Sequence, residues 1–219
     1  MNGKRLLAAL ACSSFLVAAA PAGAVPGRLD ARTIVQRMLA RNPSLRSFQA
    51  HLHVNIRMLN FPFFAPELDG TSYFKRPDNY EVVFDRVPPY AKGFAKMFDA
   101  IGDPAAWETD QNVTYAGRGS LGGRPMLELR MTKKVYSSVL DYTLAYVDPS
   151  DYQVTRMEWH YRNGGTIVMT QSFKTEGAYS VIASQHASID IPHIRAVADA
   201  TYGTYHTNVA VDSSVFSKQ

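Results

Sequence analysis

The sequence predicts an α+β protein dominated by one large, strongly curved antiparallel sheet. Three features predict it: unbroken alternation over Ser47–Met58, a series of about ten strand-like segments separated by hairpin turns, and only two stretches of helical periodicity. In the first, Phe48, Ala50, Leu52, Val54, Ile56 and Met58 fall on one side, and Ser47, Gln49, His51, His53, Asn55 and Arg57 on the other. Side chains of a strand point alternately to its two faces, so this is one strand with an apolar and a polar face, roughly 40 Å long at ~3.3 Å per residue. Ordinary strands have about five or six residues. Strands of this length belong to sheets that curl, and a sheet curling toward closure encloses either a packed core or a ligand cavity.

The chain opens with Lys4 and Arg5, an apolar run of 15 residues from Leu6 to Ala20, and the small-residue pattern Ala22-Gly23-Ala24. This is the layout of an export signal cleaved after Ala24, and the run is shorter than the ~20 apolar residues of a membrane span. Cys12, the only cysteine, lies inside the run, with Ala9 where a lipid-attachment signal needs leucine. The mature chain, 25–219, is expected to be a single exported domain without cysteine, disulfides or thiolate metal sites. Loss of Lys4 and Arg5 leaves 21 basic against 19 acidic residues, a charge of +2. That is too mild to argue for a nucleic-acid partner.

Asp30 is a good N-cap for a helix ending near Asn42-Pro43, with Ala31, Ile34, Val35, Met38 and Leu39 at helical spacing against one edge of the sheet. After the long strand, the segment from Leu59 to Pro66 is unusually apolar, and its prolines forbid a central strand. It reads either as a loop folded back onto the core or as an apolar rim at a binding mouth or membrane contact. Strands are expected near 70–76 and 79–85. Pro88-Pro89 then opens a helix carrying Tyr90, Phe94, Met97, Phe98 and Ile101 on one face. Beyond Trp107 the chain returns to strands near 111–116, 125–131, 137–148, 152–161 and 166–173, with two more within 179–191 and 203–211. Turn chemistry separates them at Gly117–Gly123, Asp148–Asp151 and Asn163–Gly165.

Gly70-Thr71-Ser72-Tyr73-Phe74-Lys75-Arg76-Pro77-Asp78 resembles the glycine–strand–basic–Arg-Pro signature of LolA-type carriers and related outer-membrane lipoprotein-sorting proteins. Val147-Asp148-Pro149, Arg156-Met157-Glu158-Trp159 and Gly164–Phe173 resemble the later strands of that group, and Tyr205–Phe216 a closing segment of some members. The resemblance covers nearly the whole mature chain. It implies an incomplete antiparallel β-barrel with helices closing one mouth over a cavity for acyl chains. It also implies a periplasmic role in binding or ferrying lipids or lipoproteins. Well-studied carriers have an Asp-Gly turn and a short strand where this chain has the helix after Pro89, so the mouth is expected to differ.

The apolar strand faces nominate Leu52, Val54, Ile56, Val82, Phe84, Leu127, Leu129, Leu144, Met157, Trp159 and Met169 as cavity lining, although each is individually also an ordinary core residue. The eight methionines suit a deformable apolar surface. Phe94, Met97, Phe98 and Ile101 are the expected lid. Lys75 and Arg76, where Pro77 ends the strand, are headgroup candidates at the rim, or else structural ion-pair partners of Asp78 or Asp85.

Signals for chemistry are weak. His51 and His53 share a strand face without an evident third metal ligand. Ser120 lacks the glycine of a nucleophile elbow, Arg118 standing in its place. Glu158 and His160 flank Trp159 on the side facing out. Asn112-Val113-Thr114 fits a glycosylation sequon only incidentally. The expected function is therefore that of a monomeric, non-enzymatic periplasmic carrier without cofactor. Its partners would be an acyl lipid or lipoprotein and a membrane donor or acceptor protein. A sensor or adaptor detecting lipids or mislocalised lipoproteins is the alternative.

Overall fold

A computed structural model describes residues 29–61, 63–77, 79–87 and 104–217. The export signal expected at 1–24 and the lid helix expected to carry Phe94, Met97, Phe98 and Ile101 lie outside the described residues.

Helix α1 runs over Ala31–Leu39, where Asp30 accepts the Thr33 backbone N–H at 2.7 Å. That hydrogen bond satisfies an orphan donor of the first turn and holds the Asp30 carboxyl below its ordinary pKa. Ile34, Val35 and Met38 form the buried stripe. The strands are β1 (Ser47–Met58), β2 (Glu67–Lys75), β3 (Asn79–Phe84), β4 (Gln111–Leu121), β5 (Arg124–Lys133), β6 (Leu140–Val147), β7 (Val154–Tyr161), β8 (Thr166–Glu176), β9 (Tyr179–Ile191) and β10 (Ile194–Thr207). A short helix α2 (Pro104–Asp110) precedes β4, and a 3-10 turn (Ser213–Ser217) follows β10.

All ten strands form one antiparallel sheet in the order β3-β2-β1-β10-β9-β8-β7-β6-β5-β4. Every neighbour is consecutive in sequence except β1 and β10, which pair with Phe48 opposite Thr207 and Met58 opposite Ala196. β3 and β4 remain unpaired edges, so the barrel is incomplete, as the resemblance implies. α1 buries its stripe in the concave interior and also touches α2 and the edge strand β4.

Four expectations need correction. β10 begins at Ile194, nine residues before the expected Gly203, and Asn208–Val211 is not strand. Its first half hides its alternation in small residues: Ala196, Ala198 and Ala200 point inward and are buried. The stretch Gly117–Leu121 belongs to β4, and only Gly122 and Gly123 turn, at φ 58° and 80°, values that suit a two-residue hairpin. Pro104–Asp110 is helical, with proline at the first position, where its missing N–H costs nothing. Leu144 faces outward. On β6 it is Thr143, Ala145 and Val147 that are buried, while Leu144 lies beside Arg130 and Glu158 on the convex face.

Candidate ligand site

Most of the interior is packed: Leu52, Val54, Ile56, Leu127, Leu129, Trp159 and Met169 are buried in one contiguous core, joined by Val82, and Phe84 packs against it half-buried. These residues are core packing and do not line the cavity. At the end where β1 begins, beneath the C-terminal half of α1, the sheet holds a cavity of about 250 Å³. Of the eleven nominated strand residues, only Met157 lines it.

Aromatic and aliphatic side chains make most of its wall. Phe48 stacks on Phe74 with ring centroids 5.3 Å apart and meets Tyr205 edge-on at 5.1 Å, while Met38 and Leu45 close it from the helix side and Val181 from β9. Phe48 was legible on the apolar side of the long strand. Tyr202 escaped because it precedes Gly203, where the strand was expected to begin, while Tyr205 lay within the expected strand but was not nominated.

The floor contains a polar seam whose members satisfy one another. Tyr202 donates to Gln185 Oε1 at 2.9 Å, Gln185 Nε2 donates to Gln171 Oε1 at 3.1 Å, and Ser72 Oγ donates to the Tyr80 hydroxyl at 3.2 Å. Burial pushes the phenols of Tyr202 and Tyr205 well above their ordinary pKa. The floor is therefore polar but uncharged.

The mouth carries the charge. Arg41 Nη1 donates to the Asp151 carbonyl at 2.6 Å and lies 3.2 Å from its carboxylate. Arg37 adds a hydrogen bond to the Tyr152 hydroxyl, so the helix end is fastened to the β6–β7 loop. Arg76 lines the mouth, with Nε donating to Leu45 O at 2.6 Å and Nη2 to Asn42 O at 2.8 Å. Lys75 does not line the cavity. Its Nζ donates to Ser213 Oγ at 2.9 Å and Val211 O at 3.3 Å, tying down the C-terminal segment. Neither cation is ion-paired among the described residues. Asp78 lies outside them, and Asp85 turns its backbone N–H to Asp69 O.

The residues considered for chemistry sit on the convex face, away from this cavity. His53 Nδ1 is 2.7 Å from Asp69 Oδ1, and His51 Nε2 is 3.7 Å from the same oxygen. Glu158 is held between Arg156 Nε at 2.7 Å and His160 Nε2 at 3.1 Å. Ser120 is an exposed residue of β4 opposite Pro125. Among the described residues no three His, Cys, Asp or Glu side chains are grouped to hold a metal ion.

No protein-family model matches the chain, and no curated protein matches it in sequence. Solved structures do match. A putative outer-membrane lipoprotein-sorting protein domain from Vibrio parahaemolyticus aligns with a TM-score of 0.64 at 11% identity, covering 84% of this chain and 95% of that one. A DUF1329 family protein from Desulfovibrio piger aligns at 0.63 and 9% identity, covering 85% and 96%. A LolA superfamily protein from Nitrosomonas europaea aligns at 0.59 and 11% identity, covering 87% and 99%. Ten antiparallel strands in an unclosed barrel, and these alignments over nearly the full length of each partner, show that the chain has the LolA-like fold.

Proposed function

We propose that this protein is an exported, periplasmic carrier that binds an acyl chain, of a lipid or a lipoprotein, in the cavity beneath α1. The observation that carries the reading is the cavity itself. At about 250 Å³ it exceeds the ~150 Å³ of an apolar cavity able to take benzene, and approaches the ~300 Å³ lower bound of ordinary ligand pockets. Its wall offers apolar and aromatic surface, its floor neutral hydrogen-bonding groups, and its mouth Arg41 and Arg76. An acyl chain fits the wall and a carbonyl or ester meets the floor, while an anionic headgroup meets the mouth. The role is binding rather than catalysis: the histidine–carboxylate pairs face away from the cavity, and its buried amides and phenols hydrogen-bond one another.

The test is to fill the space. Val181→Trp places an indole in the cavity without burying a charge. Binding of a fluorescent fatty-acyl probe should fall at least about tenfold, since the apolar area open to the probe is lost, with an unchanged far-UV spectrum. Undiminished probe binding in the folded variant would place the ligand elsewhere.

A further inference from the structure

The rim opposite the cavity has a separate character. Met58 lies across from Ala196, Ile194 from Ile191, Thr166 from Asp190 and Leu140 from Tyr161. These pairings gather the β1–β2 loop, the β9–β10 and β7–β8 turns and the β5–β6 loop at one end of the sheet. Six of the seven exposed large apolar side chains among the described residues are on this rim. Leu59, Phe61 and Phe63 project from the first loop, Phe63 wholly exposed, and Val135, Tyr136 and Val139 from the last.

Both tips are built to project. In the first, Phe64 N–H donates to Phe61 O at 2.9 Å and Leu59 N–H to Arg195 O at 2.7 Å. Asn60 pins the loop to the neighbouring turn, donating to His193 O at 2.8 Å and accepting from Arg195 N–H at 3.2 Å. In the second, Ser137 Oγ accepts the Leu140 N–H at 3.0 Å, and Arg162 donates to Ser137 O at 2.9 Å while lying 4.9 Å over the Tyr136 ring. Exposed apolar side chains on braced loops are a binding feature, not an incomplete collapse.

We propose that this rim docks on the surface of a lipid bilayer, the two tips inserting Phe61, Phe63, Val135 and Tyr136 among the headgroups. The geometry favours a membrane over a protein. The tips are separated along the sheet by turns and strand ends carrying Asn163, Asp190, His193 and Arg195. A protein partner would need a matched pocket for each, whereas a bilayer accepts separate projections without shape complementarity. Aromatic rings flanked by cations also suit the membrane–water interface. Lys133 and Lys134 immediately precede the second tip, and Lys133 makes no ion pair among the described residues. The docking surface stands apart from the cavity and does not depend on what the cavity holds.

The experiment uses the mature protein and vesicles of phosphatidylethanolamine with phosphatidylglycerol. The wild type should co-sediment with them. Phe61→Ser with Phe63→Ser, and separately Val135→Ser with Tyr136→Ser, should each lower the partition coefficient by roughly tenfold or more, with unchanged thermal unfolding because all four side chains are exposed. In a second measurement, the indole introduced by Phe63→Trp should shift to the blue on vesicle addition and be quenched by brominated lipid, over a constant background from the buried Trp107 and Trp159. The proposal is overturned if the wild type stays in the supernatant, if the serine variants partition as it does, or if they instead abolish a dimer in sedimentation equilibrium. Uptake of the acyl probe from solution should be the same in all of these variants, so a failure here and a failure of the carrier reading are separable.

Discussion

Tyr202 donates its phenolic hydrogen to Gln185 Oε1 across β10 and β9, and both side chains are almost fully buried. Tyr202→Phe removes the donor while leaving the amide oxygen in place. A buried acceptor stripped of its partner is costly, so urea unfolding should show a loss of about 1–2 kcal/mol. Adding Gln185→Leu should recover little of that loss, because it removes the orphaned oxygen but strips Gln171 Oε1 of the donor it has in Gln185 Nε2.

The same burial predicts alkaline behaviour. The phenols of Tyr202 and Tyr205 are raised above the ordinary value of 10.0, desolvation being the first cause in each. A raised folded-state pKa gives stability that is fully present below the unfolded value and is lost as pH climbs toward the folded one. Tyrosinate absorbance should therefore leave at least Tyr202 and Tyr205 untitrated as pH passes the ordinary phenol range, releasing them only when the fold melts. Smooth titration of every tyrosine in the folded protein would contradict the sealed floor.

Gly70 is the glycine of the strand motif, and its reason is steric. A Cβ there would come within 2.5 Å of the Val83 carbonyl oxygen and 2.9 Å of Phe84 Cα, both backbone atoms that cannot swing aside. Gly70→Ala should destabilise by roughly 1–3 kcal/mol, the cost of forcing volume into a packed site. Thermal unfolding checks it, and an unchanged midpoint would mean that β3 shifts freely.

His53 carries a pH signature on the convex face. Its hydrogen bond to Asp69 raises its pKa above 6.5, outweighing desolvation, which acts in the other direction. The pair's contribution is thus complete below 6.5 and disappears as pH rises through the raised value. It is small, because exposed ion pairs are screened by solvent. Imidazole NMR should show a His53 midpoint above 6.5 that falls back when Asp69→Asn removes the charge.

The Arg41–Asp151 contact fastens α1 over the cavity. Partly exposed pairs contribute up to about 1 kcal/mol, equivalent to about a fivefold change in a rate. Arg41→Ala should accelerate release of the acyl probe by no more than that, with a small drop in melting temperature. Unaltered release would make the helix a static wall, with ligand passing elsewhere.

Period-two alternation made the long strand legible to the residue, and the Asp30 cap did the same for the start of α1. Where the pattern failed, side-chain size misled. β6 carries its large residues Tyr142, Leu144 and Tyr146 outward and its small ones inward, so hydrophobicity pointed to the wrong face. In the first half of β10, buried alanines gave too little contrast with their exposed neighbours. The cavity was less legible than the sheet. Alternation tells which side chains face inward but not how far along the strand the interior is filled, and that depends on where α1 comes to rest. Arg76 lies at the mouth of the cavity. Its partners are backbone carbonyls of the α1–β1 loop, which sequence alone does not reveal.

The single non-consecutive pairing, β1 with β10, has a consequence for biogenesis. Strands β1–β3 form one meander and β4–β10 another, and the only ladder joining them links residues near 50 to residues near 200. Each meander is assembled from local hairpins, whereas the seam requires a strand near residue 50 and a strand near residue 200 to find each other, the slow kind of contact in folding. During synthesis β1 emerges early, and one of its edges waits for almost the last strand. An unsatisfied edge of that length is a template for misassociation. A chain that stops before Ile194 would hold β1–β3 and β4–β9 with nothing to join them.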